Sequence, residues 1–407
     1  MTTRFFFIGA LSGLIASSVG CGDTSNPYYC RDKNPDNNCT EPVVCADNSP
    51  CAAPTGVCDT QTMTCVQCTP AMASACTGTS PICGSDNTCH ACIAHSDCAA
   101  SHACQPDGAC AAPDRVAYVS AAPGGTDNAT CSLASPCTRV AAALATGRPY
   151  VKFHGVIDEA VVVSGGRSVT FLADPGAQLT RSLGSGAIVT IQDDRTSLSI
   201  YDLSISNAPN NLSGIGCLIP PAAGTPSLSL IRTTITNNPG GGASISSGTF
   251  IIVGSVFFNN GGIMSPIGGI SISTGPNAAN RIEFNSFALN TSQDGVGPAI
   301  NCVAGGFIAK NNIMSANRTP TTGANQFTGT CMHTYSIVQP GTIPTGTHNS
   351  GSDPLFSDSA RGDLRLQATS PARGAADPGS DLTGVAAHDI NGTLRVTPAD
   401  IGAYQFK

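Results

Sequence analysis

The chain has 407 residues, with 11% charged residues, 45 Gly, 28 Pro, no Trp and a net charge of −7. That length holds two or three domains, and so few charges among so many turn formers point to numerous short strands. The acidic balance and the lack of any Lys/Arg run exclude a nucleic-acid partner, which would need cations to neutralise phosphates.

Residues 1–20 read as an export signal. Arg4 supplies the positive start, Phe5 to Ile15 a short apolar core, and Ala16 to Gly20 the small residues before Cys21. The core is too short to span a bilayer, and no other stretch is long and apolar enough. Val19-Gly20-Cys21 resembles a bacterial lipobox, although Ser18 stands where Leu is usual. The resemblance implies lipidation of Cys21 and a membrane partner through that anchor. The expected location is then the bacterial cell envelope, as an outer-membrane lipoprotein. Ordinary cleavage would leave the chain extracellular. A disulfide role for Cys21 is disfavoured by parity, because fourteen further cysteines between 30 and 110 form an even set without it.

Residues 21–113 are a cysteine-rich segment. Three four-cysteine repeats run Cys45, Cys51, Cys58, Cys65; Cys68, Cys76, Cys83, Cys89; and Cys92, Cys98, Cys104, Cys110, with Cys30 and Cys39 before them. The filler is small and polar, so the segment cannot bury a core and must be held by crosslinks. Cys65-x2-Cys68 and Cys89-x2-Cys92 also approach a zinc-ribbon spacing. That reading leaves Cys76 and Cys83 unexplained, whereas disulfides use all twelve, and no metal is expected. The segment resembles the short cysteine-rich repeats of spacer regions in bacterial surface lipoproteins, which implies a stalk. A small binding module is the alternative.

Pro113-Asp114 marks a boundary. In 114–196, Val116 to Ser120 reads as a strand, and Cys131 and Cys137 are expected to pair and pin a loop. Residues 138–146 have helix-like composition, with Val140, Ala141 and Leu144 on one side and Gly147 as the stop. Short apolar strands at Tyr150, Val161, Val169 and Ile188 then alternate with Gly turns. The run YVSAAPGGTDN…PC…AAAL…VKFHGV…SVTFLADPGAQLT resembles the opening of the right-handed parallel β-helix family, the pectin-lyase-like superfamily. The resemblance spans about 116–407. It implies an all-β fold: a single-stranded right-handed parallel β-helix of three-strand coils, with a short N-terminal helix cap. It leaves activity open, because this fold carries many.

Residues 197–337 repeat themselves. Five segments align an apolar residue at Leu203, Ile235, Val256, Phe287 and Ile313, recurring after 32, 21, 31 and 26 residues. Each closes on an asparagine: Asn207, Asn238, Asn260, Asn290 and Asn317. Repeats of this length imply a solenoid whose units bury their apolar faces only by stacking. The asparagines are expected to form a ladder at one corner. Coils about 4.8 Å apart place Cys217 and Cys302 roughly 14 Å apart, beyond disulfide reach. Cys302 can pair with Cys331 one coil on, which leaves Cys217 as a free, buried thiol.

The family's polysaccharide hydrolases use clustered carboxylates, and its calcium-dependent lyases an acidic metal site. Between Leu203 and Ser352 the only carboxylates are Glu283 and Asp294, so neither site is expected, and no cofactor. A metal-independent lyase would need a basic residue. Arg232 and Lys310 are the weak catalytic candidates, read as one column three coils apart; Arg281 and Arg318 are the other cations. The alternative is cations with solvated heads. His154, His333 and His348 have no legible nucleophile nearby.

Residues 338–407 resemble the C-terminal region of secreted β-helix proteins, with Gln405 where the family has an acid. They are expected to cap the last coil through Phe356, Leu364, Leu366, Ile401 and Tyr404, with their Asp residues forming turns. The expected function is an exported, lipid-anchored, non-catalytic surface protein that binds a polysaccharide or another cell-surface ligand. The alternatives are a polysaccharide lyase or glycoside hydrolase, and a structural or adhesive spacer.

Overall fold

The computed structural model describes residues 44–121, 126–217, 226–304, 306–321 and 325–407. The export signal, Cys21, Cys30 and Cys39 lie outside the described residues. So does the side chain of Cys217, and with it the free-thiol expectation. The chain forms two compact units: residues 44–76 with 83–89, and residues 77–82 with 90–407.

Each cysteine repeat is crosslinked first-to-third and second-to-fourth. In the first unit the bonds are Cys45–Cys58, Cys51–Cys65, Cys68–Cys83 and Cys76–Cys89. The third repeat, part of the second unit, has Cys92–Cys104 and Cys98–Cys110. Cys65, Cys68, Cys89 and Cys92 therefore belong to four different disulfides, which removes the zinc-ribbon reading. Loops of this size gain about 3 kcal/mol each from crosslinking, which substitutes for the missing core.

The second unit is a right-handed parallel β-helix. Its three parallel sheets hold nine, eight and seven strands among the described residues. Sheet A runs from Val116–Ser120 to Met332–Thr334, sheet B from Val156–Asp158 to Ile337–Gln339, and sheet C from Val161–Val163 to Phe327–Gly329. The coil around Ser227–Ile231, Thr234–Thr236 and Ala243–Ile245 gives one strand to each. At the N-terminal end, helix α1 (Val140–Ala145) buries Val140, Ala143 and Leu144. Its buried face is thus rotated by part of a turn from the expected one, taking in Ala143 and leaving Ala141 exposed. The Glu159 carboxylate accepts the first helical N–H groups, of Val140 and Ala141, an arrangement that the helix dipole favours. Cys131–Cys137 and Cys302–Cys331 are disulfide-bonded.

Strand pairing corrects the apolar column. The inward column of sheet B is Ile205, Ile235, Phe257, Phe287, Met314 and Val338, in which Phe257 and Phe287 stack at 4.7 Å. Val256 and Ile313 point outward one residue earlier, and Leu203 lies at the preceding corner. At each of two corners, from the coil of Thr233 onward, a residue in the left-handed region is followed by an inward polar residue. Asn207, Asn237, Asn259, Leu289 and Ala316 take the left-handed position at the B–C corner. The residues after them form the ladder: each of Asn238, Asn260, Asn290 and Asn317 sends its amide to a backbone carbonyl of the preceding coil and to the next rung, ending on Gln326. Asn207 is therefore not a rung. It is exposed, and Ala208 holds the rung position, its N–H donating to Asn238 Oδ1. A second ladder, unforeseen, runs up the A–B corner through Thr233, Ser255, Asn285, Asn312, Ser336 and Asn349.

The larger part of the C-terminal region, residues 356–407, does not cap the last coil. It lies along the flank, where Phe356, Leu364, Leu366 and Ile401 join an outer apolar cluster with Ile231, Val253, Phe284, Ile313 and Ile337. Gly402 N–H donates to Asn311 O at 2.9 Å, Ala403 N–H to Ser286 Oγ at 3.0 Å, and Arg395 stacks on Phe284. The buried carboxylates Asp389 and Asp400 accept backbone N–H groups of the tail itself. The end of the solenoid is met instead by residues 346–350, where Ser350 pairs with the last strand of sheet B and Asn349 bonds His333 O.

Candidate binding groove on the outer face of sheet A

One outward column of sheet A organises the flank. In register it runs Tyr118, Lys152, Leu172, Tyr201, Ile231, Val253, Glu283, Lys310 and Thr334. Through Val253 it is apolar except for Lys152, and Tyr118, Leu172, Tyr201, Ile231 and Val253 join one cluster with Ala103 and Ala111 of the third cysteine repeat and with the tail. From Glu283 onward it turns polar. There the face opens into a groove of about 890 Å³, floored by Glu283, Ile308, Lys310 and Thr334 and flanked by residues 276–281 and 377–381.

The groove's charges are paired within the chain. Arg281 forks onto Glu283, Nε to Oε1 at 3.2 Å and Nη2 to Oε2 at 3.0 Å, and that carboxylate holds the guanidinium above its usual pKa range. Lys310 Nζ lies 3.4 Å from Asp377 Oδ2. The tail loop is fixed from below: Asn311 Oδ1 accepts Asp377 N–H at 2.8 Å, and its Nδ2 donates to Ser380 Oγ at 2.8 Å. Asp381 is held below the carboxylate range by hydrogen bonds from Thr383, helped by Arg281 and Lys310. Beside these charges Ile308 is half-exposed and pairs in register with Met332, 54% exposed, so an apolar strip borders the polar floor.

Of the weak catalytic candidates, only Lys310 reaches the groove. Arg232 and Lys310 do not share a column. Arg232 takes the left-handed corner position together with Asp202, Gly254, Phe284, Asn311 and Tyr335, one residue after Lys310's position. Arg232 forks onto Asp202 at 2.7 and 2.8 Å. Arg318 reaches Thr291 Oγ1. His154 pairs with Asp174, His348 stacks on Tyr335, and His333 is buried. Asp377 and Asp381 went unread as groove residues, because only the tail's path along the flank brings them beside residues some seventy positions earlier.

No protein-family model matches the chain, and no curated protein matches it. Among solved structures, a pectin methylesterase from Aspergillus niger in deglycosylated form is similar over 68% of this chain and 95% of that chain, with 12% identity and a TM-score of 0.28. So distant a likeness has no bearing on activity.

Proposed function

We propose that the chain is an exported, lipid-anchored surface protein of the bacterial cell envelope whose β-helix binds a polysaccharide or another surface polymer in the groove on sheet A. The observation that carries this reading is the change along one outward column: covered by the chain's own segments through Val253, open and polar from Glu283 to Thr334. A polymer laid across successive strands would meet paired charges and the Ile308–Met332 strip. The pairing of Glu283 with Arg281 and of Asp377 with Lys310 favours binding over chemistry, since a general acid must be held protonated and a base must be free. The second reading, a polysaccharide lyase or hydrolase, is favoured by the convergence of three carboxylates and two cations in one groove.

The test is a panel of neutral and acidic polysaccharides offered to the full mature protein. Binding would be followed by calorimetry, and turnover by unsaturated products and reducing ends. Saturable binding weakened at least tenfold by Lys310→Ala, without turnover, is expected. Turnover abolished by Lys310→Ala or Glu283→Gln would establish the enzyme instead, and neither binding nor turnover would leave a spacer. Loss of labelled acyl-chain incorporation in Cys21→Ala is the separate check of the anchor.

A further inference from the structure

The third cysteine repeat meets sheet A through polar contacts as well as apolar ones. Tyr118 Oη donates to Ser101 O, and Tyr150 Oη to Gln105 Oε1. Between them lies an ionisable cluster. His95 is partly buried, and its Nδ1 accepts the N–H of Cys104 at 3.0 Å. The ring meets the backbone of Ala173 and faces Lys152, Asp174 and Asp202 from three successive strands and their turns. Lys152 is 3% exposed, and its ammonium is held by Asp174, whose other oxygen takes His154 at 3.1 Å. Asp202 is engaged by Arg232. On its own repeat, His95's charged neighbour Asp97 is turned to the N–H groups of Ile93 and Ala94.

We propose that residues 92–110 form an acid-released latch on the β-helix, closed while His95 is neutral and opened when its ring takes a proton. A lone pair on Nδ1 is what accepts the Cys104 N–H, so protonation sets donor against donor. It also brings a second positive charge beside Lys152, whose one carboxylate partner is already shared with His154. Burial, then the nearby lysine, push the imidazole down to about 4, against the weaker pull of Asp202 and Asp174. The folded pKa is depressed, so the latch is fully held above the free value of about 6.5 and is lost as pH falls through the folded value. Across that window each pH unit opens the latch by up to about tenfold. The two disulfides keep the repeat itself intact, so release frees a tether without unfolding it.

The experiment uses the full mature chain. Hydrogen exchange in peptides covering 92–110, corrected for intrinsic rates, is compared with that in peptides covering 228–258 from pH 7.5 to 4, and His95 is titrated by NMR of histidine-labelled protein. The expected result is a loss of protection of at least tenfold in 92–110 alone, tracking a His95 midpoint below 5 and abolished in His95→Gln. A His95 midpoint at 6 or above, or the same loss of protection in His95→Gln, overturns the proposal. Should His95→Gln be open already at pH 7.5, the wild-type titration and its coincidence with exposure still decide.

Discussion

A neutral imidazole with both ring nitrogens buried and unpartnered costs stability at every pH and more in acid. His333 is such a group: 1% exposed, packed 4.7 Å from Phe327, on the inward register of Ile282 and Ala309. Burial pushes it down to about 4. Because the folded pKa lies below the unfolded one, stability is full above about pH 6.5 and falls as pH drops toward 4, by about 3 kcal/mol in all. His333→Leu should therefore flatten the acid limb. It should also raise stability at pH 7 by about 1–3 kcal/mol, since no polar atom is left unsatisfied. Urea unfolding at pH 7 and 4.5, in a His95→Gln background that silences the latch, measures both. An unchanged pH dependence would show that other groups govern acid unfolding. The position itself was not legible: nothing in Met332-His333-Thr334 marks a histidine that faces a core.

At the scale of the coil, the two corners carry the register. Asn290 is fully buried and makes four bonds: its amide to Phe257 O and Asn317 Oδ1, its oxygen from the backbone and side chain of Asn260. Asn290→Ala strands several of these buried groups and should cost about 3–5 kcal/mol. Asn207→Ala, at an exposed left-handed corner, should cost about 1 kcal/mol or less. Equal costs in denaturant melts would contradict the assignment of rungs and corners. The repeat was readable because Asn237-Asn238 and Asn259-Asn260 supply both a left-handed residue and a rung. It was misread in the first coil because Asn207 is followed by Ala208, so that one asparagine fills only the outer place. The apolar column slipped for a different reason. Val256 and Ile313 point outward, yet are apolar because the tail covers them, and the rule that apolar means inward fails wherever a second layer lies outside.

For the molecule as a whole, the same second layer separates what sequence could reach from what it could not. Coils, helix cap and the Cys131–Cys137 and Cys302–Cys331 pairs are local or periodic, and so readable, whereas the pairing within the cysteine repeats was not. The tail's path and the groove it borders depend on contacts between residues some seventy to 150 positions apart. Gly402 tests that layer. It sits at φ +94°, and a Cβ there would lie 2.6 Å from Ile313 Cδ1 and 2.9 Å from Ser286 Oγ. Gly402→Ala combines left-handed strain with a clash against a packed strand, together about 2–4 kcal/mol. A cap confined to the end of the solenoid would transmit this only to the last coil. A strap along the flank transmits it further: Gly362 lies against Phe258, and His388 beside Gly254. Hydrogen exchange in Gly402→Ala should therefore rise through the tail and in the flank residues around 253–258 and 284–288, while the ladder corner at 260 and 290 keeps its protection. The Lys310–Asp377 contact should loosen with it, and groove binding should weaken without any change to a groove residue. A rise confined to residues 330–350 would return the tail to the role of an end cap and detach it from the groove.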